Sequence, residues 1–303
     1  MGSNAIFVSE EVRSAVREDR PVVALESTIF THGLPRPRNL EVALEAEASL
    51  RAAGVVPATI GVYNGVPTVG LTTEQITELS KVDNMDKVSL RDLPVVRARG
   101  VHGGTTVAAT AFLAHHAGVK VFSTGGLGGV HHGASETFDE SADMTTLAQV
   151  PIVVISAGVK SILDVGATLE RFETLNIPVI GFGTTKYPGF YVTDSGFSIN
   201  YSVETTDEAA AIIRARDEFE LPQSVLLANP VPEDKQLPPE ELEDILTRAW
   251  AEADRQGIAG NASTPFLLDF IQRDTNGRSL EVNIDVYRGN VSLGGRLATS
   301  LAK

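Results

Sequence analysis

The sequence predicts an α/β protein built on a mainly parallel sheet with helices on both faces. Three observations carry this. Short apolar runs alternate with longer patterned segments almost from end to end. The runs at 151–156 and 178–182 are separated by one helix-length pattern, which is the spacing of a βαβ unit. Hydrophobic residues make up 43% of the chain and charged ones 21%, enough apolar material for a sizeable core. No Gly-, Ser- or Pro-rich linker and no internal repeat interrupts the 303 residues, so one domain is expected over 1–303, with residues 1–20 as an N-terminal extension or helix.

Taken in order, Pro21-Val22-Val23-Ala24-Leu25 is a continuous apolar run and reads as a buried strand. Residues 40–53 carry a helical pattern that stops at Gly54. Residues 58–62 and 67–71 read as strands about the turn Asn64-Gly65. Thr72 is placed to cap a helix entered at Thr73-Glu74. An alanine-rich helix follows over 106–118, then a strand over 120–123. Strand 151–156, helix 161–176 and strand 178–182 complete the βαβ pattern. The stretch 204–255 holds 14 acidic and 5 basic residues, so most of the net charge of −14 lies there. Helices near 207–219 and 239–256 flank a strand at 224–229, and the charge reads as a solvated outer face.

The charge and composition exclude several function classes. A chain this acidic is a poor ligand for nucleic acid or an anionic membrane, both of which demand basic surface. Cysteine is absent, which removes disulfides, zinc–thiolate sites, iron–sulfur clusters and thiol nucleophiles. The first twenty residues lack the apolar stretch of a secretory signal, and no run approaches a membrane span. A cytoplasmic protein is expected, so the Asn-x-Ser sequences at Asn200, Asn261 and Asn290 read as chance.

Polar residues directly after buried strands are the natural place for chemistry in such a sheet. Glu26-Ser27-Thr28 follows the first strand, with Thr31-His32-Gly33 just beyond; Glu26 is either a general acid with a raised pKa or a turn cap. Gly103-Gly104-Thr105-Thr106-Val107 enters the alanine-rich helix as either a phosphate cradle or a plain turn. Ser123 to Gly133 contains five glycines, His131 and His132, and leads to Asp139, Glu140 and Asp143, which offer oxygen ligands to a hard divalent cation. The alternative there is a structural glycine loop. Lys160, one of seven lysines, follows the run Val153-Val154-Ile155 where the next helix is expected to begin. The positive helix end would lower its pKa and make it an imine-forming nucleophile; the alternative is a surface pair with Asp164.

Taken together these motifs are far more specific. Val23-Ala24-Leu25-Glu26-Ser27-Thr28-Ile29, Gly103-Gly104-Thr105-Thr106-Val107-Ala108-Ala109-Thr110, Ser123 to His131, Ser156-Ala157-Gly158-Val159-Lys160-Ser161-Ile162-Leu163-Asp164, Gly181-Phe182-Gly183-Thr184 and Phe190 occur in that order. From about Val22 to Ala298 the chain resembles the pseudouridine-5′-phosphate glycosidase family, which includes indigoidine-synthase-A-like proteins. The resemblance implies a three-layer α/β/α fold with a central mixed sheet, reversible cleavage of the C–C glycosidic bond of pseudouridine 5′-phosphate to uracil and ribose 5-phosphate, a Mn²⁺ ion or another divalent cation, and a homotrimer. Carried over by motif, Lys160 is the nucleophile, Glu26 the proton donor and Asp139 the metal ligand. Ser141, Ala142 and Asp143 form a substrate-binding triplet, Lys87 and Val107 bind substrate, and Thr106, Thr124, His131 and Asn283 are further contacts. His132 departs from the pattern, since an arginine is expected at that rim position. The competing readings are a glycosidase or phosphosugar lyase acting on another C-nucleoside, and a non-catalytic phosphosugar-binding protein.

Overall fold

A computed structural model of the chain describes residues 5–258 and 263–302; Asn261 and the extreme ends of the chain lie outside the described residues. The strands are β1 (Phe7–Val8), β2 (Val22–Leu25), β3 (Val56–Tyr63), β4 (Val66–Val69), β5 (Asp86–Val88), β6 (Gly103–Thr105), β7 (Val121–Ser123), β8 (Val153–Ser156), β9 (Val179–Phe182), β10 (Tyr201–Val203) and β11 (Val225–Ala228). The helices are α1 (Glu10–Arg17), α2 (Arg38–Ala52), α3 (Thr73–Leu79), α4 (Leu93–Arg99), α5 (Val107–His116), α6 (Ala134–Thr137), α7 (Ala142–Leu147), α8 (Val165–Thr174), α9 (Thr206–Glu218), α10 (Pro239–Gln256), α11 (Ser263–Asp274) and α12 (Arg278–Leu301).

The strands lie in the order β1-β4-β3-β2-β7-β8-β11-β9-β10, with β6 on β3 and β5 on β6. Among the described strands only the β3–β4 and β3–β6 pairings are antiparallel, so the sheet is mixed and mainly parallel. Side chains alternate across it with the two-residue period of a strand. Val22 and Ala24 face one core with Val12 of α1, Ala111 of α5, Met144 of α7 and Phe172 of α8. Val23 and Leu25 face the other with Val42 and Ala46 of α2, Ile213 of α9 and Val291 of α12. Helices cover both faces, giving three layers.

β3 changes partners halfway along. Val56 to Thr59 run parallel to β2, but from Ile60 the strand pairs antiparallel with β4 on one edge and, at Gly61 and Val62, with β6 on the other. β6 and its neighbour β5 thus occupy the edge that β2 leaves, just past the carboxyl end of β2. The β3–β4 turn uses Asn64 and Gly65 at positive φ, as a tight hairpin requires. Thr72 caps α3 through a reciprocal box with Gln75. α5 is apolar nearly all round, and it is correspondingly buried on nearly every side.

Two local expectations change. Gly103-Gly104-Thr105 is a buried strand, not a loop: Gly104 lies where a side chain would collide with Thr31 and His32, and Gly103 against Val88. The helix expected from Ser161 begins at Val165, because Asp164 turns its carboxylate onto the Ala167 N–H (2.9 Å) and caps it there. No described helix is long and apolar enough to cross a membrane.

Candidate active site

At the carboxyl ends of β2, β5, β6 and β8 lies a cavity of about 480 Å³. Glu26, Thr28, Lys87, Thr106, Val107, His131, Asp139, Ser141, Ala142, Asp143 and Lys160 all line it, with Ser89, Arg91, Asp92 and Thr264 at its walls. Residues spread over the chain from 26 to 160 therefore meet in one place.

Glu26 stands one residue past β2 and is 7% exposed. The hydroxyls of Thr28 and Thr124 both donate to its carboxylate. Burial pushes its pKa above the usual carboxylate range, with the Lys160 charge and then the two hydroxyls pulling the other way. A raised pKa favours the proton-carrying form that a general acid needs.

Lys160 sits in the loop between β8 and α8. Its N–H donates to the Leu127 carbonyl (3.1 Å) and its carbonyl accepts from Leu163 N–H (2.9 Å). The turn into this loop depends on Gly158 at φ +81°, where a Cβ would lie 2.4 Å from the Pro188 carbonyl oxygen. α8 starts only five residues later, so Lys160 does not open the helix, and Asp164 is its cap. What places the amine is the loop's backbone bonding.

Lys87 comes from β5, paired in register with Gly104 of β6. Water reaches it through the open mouth of the cavity, yet the surrounding walls desolvate its ammonium. That desolvation, followed by repulsion from Lys160, holds its pKa below the ordinary lysine range. Thr106 occupies the N-cap position of α5 but makes no capping bond, and its hydroxyl oxygen is buried without a hydrogen-bond partner among the described residues. An unpaired hydroxyl beside a helix N-terminus and a lysine is well suited to receive an anion.

The acidic trio resolves into three separate roles. Asp143 accepts from Ala108 N–H (3.0 Å) and Gly128 N–H (2.9 Å), fastening the start of α5 to the glycine loop. Glu140 bonds Arg171 (2.9 Å). Of the three, Asp139 alone keeps its carboxylate free of strong partners among the described residues, 4.0 Å from His131 Nδ1. The three do not converge on one cation, and among the described residues no group of three or more His, Asp or Glu side chains could hold a metal ion. Burial lowers the His131 pKa, with Asp139 opposing. Ser141 caps α7, accepting from Asp143 N–H (3.2 Å).

Thr124 and Asn283 do not line the cavity. Thr124 is fully buried and acts through Glu26, while Asn283 lies beside Gly125. His132 packs its ring edge-on to Trp250 of α10, centroids 5.1 Å apart. Sequence reading overlooked Ser89, Arg91 and Thr264; the Ser89–Asp92 box at the end of β5 carried a legible capping spacing. It also set aside Asn290, which is fully buried and bonded to the Thr124 and Gly125 carbonyls.

The family described as indigoidine synthase A like protein matches residues 11–300. A protein of Saccharopolyspora erythraea named pseudouridine-5′-phosphate glycosidase is 64% identical over 295 residues, covering 97% of this chain and 97% of that protein. One of the same name from Caldanaerobacter subterraneus subsp. tengcongensis is 47% identical over 298 residues, covering 98% and 97%. Among solved structures, the prealnumycin C-glycosynthase AlnA in complex with ribulose 5-phosphate aligns with a TM-score of 0.92 at 34% identity, covering 99% and 98% of the two chains. An indigoidine synthase A-like protein from Thermotoga maritima aligns with a TM-score of 0.90 at 36% identity, covering 100% and 99%.

Proposed function

The chain belongs to the indigoidine synthase A-like family, and from that premise we propose that it is a C-glycosidase that reversibly converts pseudouridine 5′-phosphate and water to uracil and ribose 5-phosphate. The observation that carries this reading is the sharing of one cavity by a buried Glu26 whose pKa is raised, the amine of Lys160 and the N-terminal end of α5 with its unpaired hydroxyl.

An ordinary glycosidase protonates a heteroatom leaving group, but here sugar and base are joined through carbon. The residues present offer another route. Glu26 gives its proton to the ribose ring oxygen while the amine nitrogen of Lys160 attacks C1′, and the C1′–O4′ bond breaks. The nitrogen lone pair then forms the C1′=N bond, the C1′–C5 bond breaks, and its electron pair is protonated at C5 to give uracil. Water adds to the imine and releases ribose 5-phosphate, restoring the amine. Thr106, Val107 and Lys87 bind and orient the phosphosugar, Ser141, Ala142, Asp143 and His131 shape its wall, and Thr124 and Asn283 support the loop behind it.

Asp139 would hold Mn²⁺ or another hard divalent cation together with water; a single carboxylate fits an ion that keeps most of its hydration. When bound, such an ion would offset substrate charge. The reading extends to a homotrimer in the cytoplasm, which rests on the family resemblance and is checked by sedimentation equilibrium of the purified chain.

The test compares base release from pseudouridine 5′-phosphate, pseudouridine, uridine 5′-phosphate and a C-nucleoside 5′-phosphate bearing another base. Release from the first alone is expected. Release from another C-nucleoside phosphate instead would make it a related lyase, and binding without any turnover would make it a phosphosugar-binding protein.

A further inference from the structure

Two asparagines that never touch the cavity tie its strand ends together. Asn290 of α12 is fully buried. Its Nδ2 donates to the carbonyls of Thr124 (2.7 Å) and Gly125 (3.2 Å), its Oδ1 accepts from Asn229 Nδ2 (2.9 Å), and its own carbonyl accepts from Ser123 Oγ (3.0 Å). Two carbonyl partners on one side and an amide donor on the other leave only one orientation for this amide. Asn229, one residue past β11, donates its backbone N–H to the Ser156 carbonyl at the end of β8 (2.8 Å). The Gly125 carbonyl also accepts from Ala157 N–H (2.9 Å). The carboxyl ends of β7, β8 and β11 are thereby locked to one another and to α12.

Those ends carry the reacting groups. Thr124 donates its hydroxyl to Glu26, and the chain runs from Ser156 through Gly158 to Lys160. We infer that Asn229 and the buried Asn290 form a clamp that fixes the Thr124 hydroxyl on Glu26 and holds the Lys160 loop in register with it, making both asparagines positioning residues for the proton donor and the nucleophile. This rests on the reaction proposed above. A clamp explains why a fully buried amide is spent on turn carbonyls rather than replaced by an apolar side chain, since an unmatched carbonyl at that depth is costly. It also explains Gly294, one helical turn on, where a Cβ would lie 2.1 Å from Ser123 Oγ and push α12 away.

Glu26 is faced by Lys160, Lys87, Asp143 and Tyr287 besides the two hydroxyls. The Thr124 hydroxyl stabilises its charged form, so freeing Thr124 raises its pKa further. The experiment uses the full chain with Asn290→Leu, of similar size, and Asn229→Ala, which touches neither Thr124 nor Glu26 and stands in should the first not fold. Two readouts are taken: kcat and KM for uracil release across pH, and the carboxyl titration of Glu26 by ¹³C NMR without substrate. The clamp predicts a fall in kcat of about 100-fold, as an ångström of misplacement costs, with KM little changed. It also predicts that the alkaline limb of kcat and the Glu26 titration both move to higher pH. A lowered Tm with kcat per folded site within about twofold of wild type and an unmoved Glu26 titration would overturn it. Because the titration needs no substrate, a wild-type protein that releases no uracil would sink the proposed reaction while the clamp is still judged by NMR.

Discussion

At Glu26, burial and hydrogen bonding act in opposite senses. Desolvation favours the neutral carboxyl, whereas Lys160 and the Thr28 and Thr124 hydroxyls favour the charged one, and desolvation wins. As an acid, Glu26 works only while protonated, so kcat falls as pH rises through its raised pKa. Glu26→Gln keeps the shape without the proton; it is expected to retain ribose 5-phosphate binding and lose roughly 10²–10⁴ in kcat, measured by calorimetry and uracil release. Equal loss of both would leave Glu26 only a binding role. Lys160→Ala removes the nucleophile and is expected to cost more than about 10³-fold in rate, ~4 kcal/mol of barrier. Thr106 offers a cleaner separation of stability from function. Its hydroxyl has no partner among the described residues, so Thr106→Val should leave Tm unchanged or slightly raised. Ribose 5-phosphate binding should weaken about tenfold, the worth of one hydrogen bond to a charged group. At this scale much was legible: Glu26, Lys87, Thr106, Asp139 and Lys160 meet as their motifs suggested. The physical reason offered for Lys160 was wrong, because a capping aspartate four residues on delays the helix. Asn290 was not legible, since nothing local marks an asparagine whose partners are 166 residues away.

Between elements, the decisive contacts are α12 on the strand ends and α2 on β3. Gly294 presses α12 onto Ser123, and Gly294→Ala should cost about 1–3 kcal/mol by overpacking. The double variant with Ser123→Ala should recover part of this, because the obstructing oxygen is gone; a purely additive loss in a denaturant-melt cycle would refute that cause. Glu47 of α2 is buried against β3, accepts from the Thr59 hydroxyl (2.6 Å), and has its pKa raised by that burial. A raised carboxyl contributes stability that is complete below its unfolded pKa and is lost as pH rises through the folded one. Glu47→Gln is therefore expected to raise Tm at pH 7–8, with the gain vanishing below about pH 4. A gain independent of pH would rule out this carboxyl as the cause. Strands flanked by turn residues, such as β2, β4 and β8, were readable from apolar runs, and α10 was placed at its observed bounds. α12 was not, because Gly289, Asn290, Gly294 and Gly295 break its apolar periodicity for reasons that lie in the strands it touches.

Across the whole molecule, the net charge of −14 opposes an anionic substrate, yet Lys87, Lys160 and Arg91 gather at the one cavity where Glu26 also lies. The same cavity holds Glu26, Asp92, Asp139, Glu140 and Asp143, so the phosphosugar must be met by local donors such as Lys87 and Thr106 and not by the net charge of the lining. The layered α/β/α order and mainly parallel sheet followed from the alternation of runs and the βαβ spacing. The partner change of β3, which carries Lys87 to the end of β2, did not, since β5 and β6 are three residues each and lie below any periodic signal. The central step is the bonding of the amine at position 160 to C1′. Incubating the protein with ribose 5-phosphate and borohydride, then measuring intact mass and mapping the modified peptide, tests this directly. One reduced pentose phosphate per chain, located on Lys160 and absent from Lys160→Ala, is the predicted result; no adduct, or an adduct that persists in that variant, would contradict it.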